Sequence, residues 1–212
     1  MNWLAKLLGK KKTPELSAEE KEQSQKKWDG FDFFQKGQDC YFNRQTNEAL
    51  SYFEKAFEYG FAETFPSEAT KLYDLRAGCL QELNFHYDAI NDFDKSIILS
   101  SNDCNKYFSR STSKGAILDF EGAVADLEKA IELSKIDNEL NREYNDEAQK
   151  QGYKNGAAGM FVMRLAMAKM DLDSEVKDRG EIENAATPKD KEFWQNTYDE
   201  KREKRLGRIK RR

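Results

Sequence analysis

The sequence predicts an all-α fold: a right-handed α-solenoid of stacked helix-turn-helix repeats with helical N- and C-terminal extensions. Three observations predict it. Two stretches match at an offset of 34 residues, with Tyr73, Arg76, Ala89, Asp92, Lys95, Ile97 and Leu99 recurring as Tyr107, Arg110, Ala123, Asp126, Lys129, Ile131 and Leu133. A repeat of that period marks helical hairpins, which bury their apolar faces only against neighbours. The chain has three prolines among 212 residues and long runs of helix formers, a composition that favours helices over strands. Charged residues make up 35% and hydrophobic ones 38%, a balance that suits a thin solenoid better than a thick core.

The elements follow in order. Ser17 and Glu20 have the spacing of a capping box, so a helix is expected from there to about Trp28, with Gly30 closing it. Residues 1–29 are thus an N-terminal extension, beginning with an amphipathic turn that carries Trp3, Leu4, Leu7 and Leu8. Three repeats are expected over 30–137, at about 30–63, 70–103 and 104–137. The first matches the second at an offset of 40, through Phe33, Gly37, Ala49, Phe53 and Ala56. The six extra residues are expected in a loop near Phe65-Pro66-Ser67. Asn84 is expected as a left-handed turn residue inside the second hairpin. Residues 138–171 read as a degenerate fourth repeat or capping helices, with the methionine-rich stretch 157–170 packed on the last full repeat. The stretch 172–212 reads as a charged linker, a helix starting at Thr187-Pro188, and a basic tail.

These hairpins resemble the tetratricopeptide repeat. The first helices carry an aromatic and then a small residue (Phe33 and Gly37, Tyr73 and Ala77, Tyr107 and Ser111), and the second helices carry Ala49, Phe53 and Ala56 or their counterparts. Leu127 and Ser111 depart from the family pattern, and no proline closes a repeat. The resemblance implies a scaffold that binds other proteins and has no catalytic residues. Some family members grip a chaperone's C-terminal carboxylate with cations on the first helices. The matching positions here, Phe34, Gln38, Leu75, Asn105 and Ser109, supply none, so no such clamp is expected.

In a right-handed stack the first helices line the concave surface. Continuing the register, Phe34, Gln38, Tyr41, Phe42, Asp74, Gln81, Phe108 and Thr112 are the expected partner-binding groove. Gly78, Gly115 and Ala116 are expected to make room in its middle. Burying an aromatic side chain is worth about 1.5–3 kcal/mol, so the groove aromatics call for a cover. That cover is either a partner's peptide or helix or one of the chain's own terminal helices.

The net charge of −4 argues against a general nucleic-acid binder. The distribution is uneven, because Lys201, Arg202, Lys204, Arg205, Arg208, Lys210, Arg211 and Arg212 face a single acid, Glu203. That tail is a candidate anchor for an anionic partner, which would make the chain an RNA- or ribosome-associated factor or bring it to an anionic lipid surface, and it is otherwise a solvated end. Weak contact with nucleic acid or an anionic membrane is therefore expected only through the termini. Arg76 and Arg110 share one slot and either bind an acidic ligand or pair with nearby acids.

The single histidine, His86, falls in a slot that holds Thr46 and Phe120 in other repeats, which makes it a packing residue. No phosphate-binding glycine loop, metal-ligand spacing or nucleophile–base pair is evident, so neither an enzyme nor a cofactor or metal site is expected. No small-molecule substrate is expected either. Cys40, Cys79 and Cys104 are read as reduced thiols of a cytoplasmic protein. The expected function is a non-catalytic adaptor for a protein segment.

Overall fold

The computed structural model describes residues 17–136 and 139–210. The amphipathic turn expected over residues 1–9 lies outside them, as do Arg211 and Arg212. The described residues form helices only: α1 (Ala18–Phe42), α2 (Thr46–Glu58), α3 (Phe61–Thr64), α4 (Pro66–Glu82), α5 (His86–Leu99), α6 (Cys104–Ala116), α7 (Phe120–Leu133), α8 (Glu139–Lys150), α9 (Gly156–Glu183) and α10 (Pro188–Leu206). Helices α1 and α2, α4 and α5, α6 and α7, and α8 and α9 pair as antiparallel hairpins, and successive hairpins stack.

The turns inside the hairpins show why the repeat holds. Arg44, Asn84 and Leu118 each take positive φ, near 62°, 66° and 67°, and Gly152 takes 95°. Their spacing is 40, 34 and 34 residues, so the fourth hairpin keeps the ladder although its helices have lost most of the sequence pattern. At each turn the next amide donates back to a first-helix carbonyl: Gln45 to Cys40, Phe85 to Leu80, Asp119 to Lys114 and Tyr153 to Ala148, at 2.8–3.0 Å. This is the left-handed closure that satisfies a helix's last carbonyls.

Several expectations change. The capping box is formed, with the Glu20 amide donating to the Ser17 hydroxyl at 3.2 Å and the Ser17 amide to the Glu20 carboxylate at 2.7 Å. The helix it starts does not end at Gly30. It continues as one rod to Phe42, and Gly30 is buried where a Cβ would sit 3.2 Å from that of Tyr59. The six-residue insertion is helical rather than a loop: α3 fills it, and Pro66 opens α4, where its missing N–H costs nothing. Residues 172–183, expected as a charged linker, instead extend α9. Within the methionine-rich stretch Ala157 and Phe161 are buried, while Met163, Met167 and Met170 are exposed. The packing thus uses one narrow stripe of that helix.

Two apolar clusters hold the stack. One joins the first two hairpins around Phe53, Phe61, Leu72 and Leu80. The other joins the third and fourth around Cys104, Leu133, Ala148 and Phe161.

Candidate functional site

A groove of about 520 Å³ opens along the first helices of all four hairpins. It is lined by Tyr41 of α1, by Lys71, Asp74, Gly78 and Gln81 of α4, by Asn105, Lys106 and Ser109 of α6, and by Leu140 and Tyr144 of α8. The expected residues Tyr41, Asp74 and Gln81 therefore come together there. Gln81 ties two hairpins, donating to the Ser109 carbonyl at 2.8 Å and the Ser113 hydroxyl at 2.7 Å. Gly78 leaves space that the Tyr41 hydroxyl takes, 2.9 Å from where a Cβ would lie.

The other expected groove residues lie elsewhere. Phe34 is only 3% exposed and packs against Phe61 with the rings tilted by 32° and their centres 4.4 Å apart. The insertion folds Phe61 back over α1, so this aromatic is covered from within the chain. Phe108 stacks on Phe161 of α9 at 4.9 Å, and the Thr112 hydroxyl donates to the Phe108 carbonyl at 3.3 Å. Gln38 is half-buried outside the lining. Phe42 is 69% exposed beside the ring of Tyr41. Gly115 and Ala116 border a different cleft.

The residue that sequence reasoning missed is Lys106. Its side chain is 4% exposed, and its ammonium lies 3.4 Å from the Asp74 carboxylate and donates to the Ser96 carbonyl at 3.3 Å. A signal for it was present: Lys106 stands 34 residues after Leu72, a fully buried core position. A cation in a core slot needs a buried partner, and Asp74 is that partner. Burial pushes the Asp74 carboxyl up to about 6 despite Lys106, and one of its oxygens has no hydrogen-bond partner. Asp103, also raised by burial, caps α6 by accepting from the Asn105 amide at 2.9 Å. Burial likewise raises the Tyr144 phenol.

Arg76 and Arg110 are not in the groove. Each forks onto an aspartate of its own hairpin, Asp92 and Asp126 respectively, at 2.6–2.8 Å. Of the two readings of that slot, the pairing with acids is the one observed. His86 is buried, its Nδ1 3.2 Å from the Ser113 hydroxyl, and burial lowers its pKa.

A second cleft, of about 690 Å³, lies between the hairpin turns and helices α9 and α10. The basic tail lines it and is helical to Leu206 rather than a loose end. Lys201 pairs with Asp178 at 2.8 Å, Arg202 with Glu175 at 3.0 Å, and Arg205 with Asp171 at 2.8 Å. The Tyr198 hydroxyl donates to Glu175. The Lys210 amide then reaches the Asn84 carbonyl at 2.9 Å, so the tail is strapped to the second hairpin turn. Lys204 and Arg208 line this cleft with no ion pair among the described residues. Neither α10 nor the start of α1 contributes to the groove lining.

Among the described residues, no three of His, Cys, Asp and Glu are grouped to hold a metal ion, and no helix is long and apolar enough to cross a membrane. The stacked hairpins, their repeated turn and the groove along the first helices define an all-α solenoid of helical hairpins. Two solved structures similar to it are TPR domains. The Arabidopsis OM64 TPR domain is 21% identical, with 59% of this chain and 98% of that chain covered and a TM-score of 0.45. The first TPR of Spaghetti (RPAP3), solved bound to the HSP90 peptide SRMEEVD, is 20% identical, with 59% and 94% covered and a TM-score of 0.44. No family model matches the chain, and no curated protein does.

Proposed function

We propose that the chain is a non-catalytic interaction scaffold, an adaptor that holds a peptide or helix of another protein in the groove of its first helices. The observation that carries this reading is the groove itself. Four successive hairpins line it, and neither α10 nor the start of α1 is part of its lining. Such a surface reads side chains at intervals along an extended or helical segment. The tail is the weaker candidate for contact with phosphates, because Lys201, Arg202 and Arg205 are already matched by carboxylates of α9.

Peptides selected from a display library against the full chain test the reading. Glu82→Lys and Leu140→Arg alter exposed groove positions and should abolish binding while leaving the thermal unfolding curve in place. Lys177→Glu, exposed and outside both clefts, should leave binding intact. Peptides that survive both groove substitutions would overturn the proposal.

A further inference from the structure

We propose that the groove takes a cationic segment, a peptide presenting lysine or arginine side chains, rather than an acidic one; this rests on the groove reading above. The lining holds six charged residues, the acids Glu68, Asp74, Glu82 and Asp103 and the lysines Lys71 and Lys106. The two lysines are not equivalent. Lys106 is buried and already matched by Asp74, so it has no charge to offer a ligand. Lys71, exposed and without an ion pair among the described residues, shares the lining with the acids Glu68 and Glu82 and the buried Asp103.

The acids are poorly compensated from within. Glu82 accepts from the Thr46 hydroxyl at 2.6 Å, but its one cation, Arg44, sits 3.7 Å away on an 85% exposed side chain. A pair of that kind contributes little. Asp74 is matched by Lys106 and Asp103 is buried, so the carboxylates left for a ligand are those of Glu68 and Glu82. An acidic segment would bring like charges together in a partly desolvated groove, which costs free energy, whereas a cationic one gains it. The same lining offers Tyr41, Leu75, Leu140 and Tyr144, against which the alkyl stems of lysine and arginine pack while their heads meet the carboxylates.

The test uses three fluorescein-labelled twelve-residue peptides on one Leu/Tyr framework, carrying four lysines, four glutamates or four glutamines. Their anisotropy is titrated with the full chain. The lysine peptide should bind about tenfold or more tighter than the glutamate peptide, and its affinity should fall as salt rises. The double variant Glu68→Lys/Glu82→Lys should erase that preference. Glu68→Gln/Glu82→Gln, which keeps the side-chain shape, should reduce it. Tighter binding of the glutamate peptide, lost on Lys71→Glu, would overturn the cationic assignment and leave the groove reading standing. Binding of any peptide that none of these variants moves would overturn both.

Discussion

Arg76 and Asp92 meet as two planar forks, with nitrogen–oxygen distances of 2.6 and 2.7 Å, and Arg110 and Asp126 repeat the arrangement 34 residues later at 2.8 and 2.6 Å. Arg110 also reaches Asp94 of the preceding hairpin at 2.6 Å, so one guanidinium joins a hairpin internally and to its neighbour. The Asp92 and Asp126 side chains are 2% and 5% exposed. Each pair closes its own hairpin, from the first helix to the second.

Arg110→Ala should therefore destabilise the chain by about 3 kcal/mol or more, because a buried carboxylate loses its forked partner. Only the Lys114 ammonium, at 3.0 Å, would remain on Asp126. Arg110→Lys should restore part of the loss, since an ammonium cannot serve both oxygens and Asp94 together. Urea denaturation of the three proteins measures this. A loss below about 1 kcal/mol would place the pair in the class of weak surface bridges.

Two glycines should respond oppositely to alanine. A Cβ on Gly37 would lie 2.5 Å from the ring of Phe53, which is fully buried and cannot move aside. Gly37→Ala should cost about 1–3 kcal/mol through overpacking. A Cβ on Gly115 meets nothing within 4 Å. There the better helix propensity of alanine should dominate, so Gly115→Ala should stabilise by up to about 1 kcal/mol. Thermal melts of both variants check the signs, and equal shifts would show that contact distance is not the deciding factor.

The ladder made the hairpins legible because core slots obey one rule, small or apolar residues at fixed spacing. The groove was harder to read. Phe34 looked exposed only because the register ignored what the insertion brings back over it, and a helix carrying Phe61 has no counterpart in the other hairpins. Phe108 was similarly claimed by Phe161, a contact across 53 residues that no local pattern encodes. Lys106 was legible in principle, as a cation in the Leu72 slot, since burial there demands an acid. The folded tail was not, because its order depends on carboxylates of α9 spaced along a segment that read as a charged linker.

The three thiols should separate by reactivity. Cys79 and Cys104 are fully buried, and burial pushes both thiols up to about 12, which leaves almost no thiolate at neutral pH. Cys40 is partly exposed. A disulfide reagent at pH 8 should label one thiol of the native chain rapidly, identified as Cys40 by mass spectrometry, and the other two only on unfolding. Fast labelling of Cys79 under native conditions would mean that the first two hairpins open readily.

Asp74 and His86 should titrate with opposite consequences for stability. Burial raises the Asp74 carboxyl from an ordinary value of 3.8 to about 6, so the folded chain binds this proton more readily than the unfolded one. Acidification from above pH 6 towards pH 4 should accordingly add stability through Asp74, an effect complete below the unfolded value. Burial lowers His86 from its ordinary 6.5, so the folded chain resists that proton. Its contribution is present above 6.5 and is lost as the pH falls through the folded value. Bulk unfolding curves would show only the difference, so the two are separated by resonance. The Asp74 side-chain carboxyl carbon should move with a midpoint near 6 and vanish in Asp74→Asn, while the His86 ring signal should titrate below 6.5. An Asp74 midpoint near 4 would mean that the pairing with Lys106 outweighs the cost of burial.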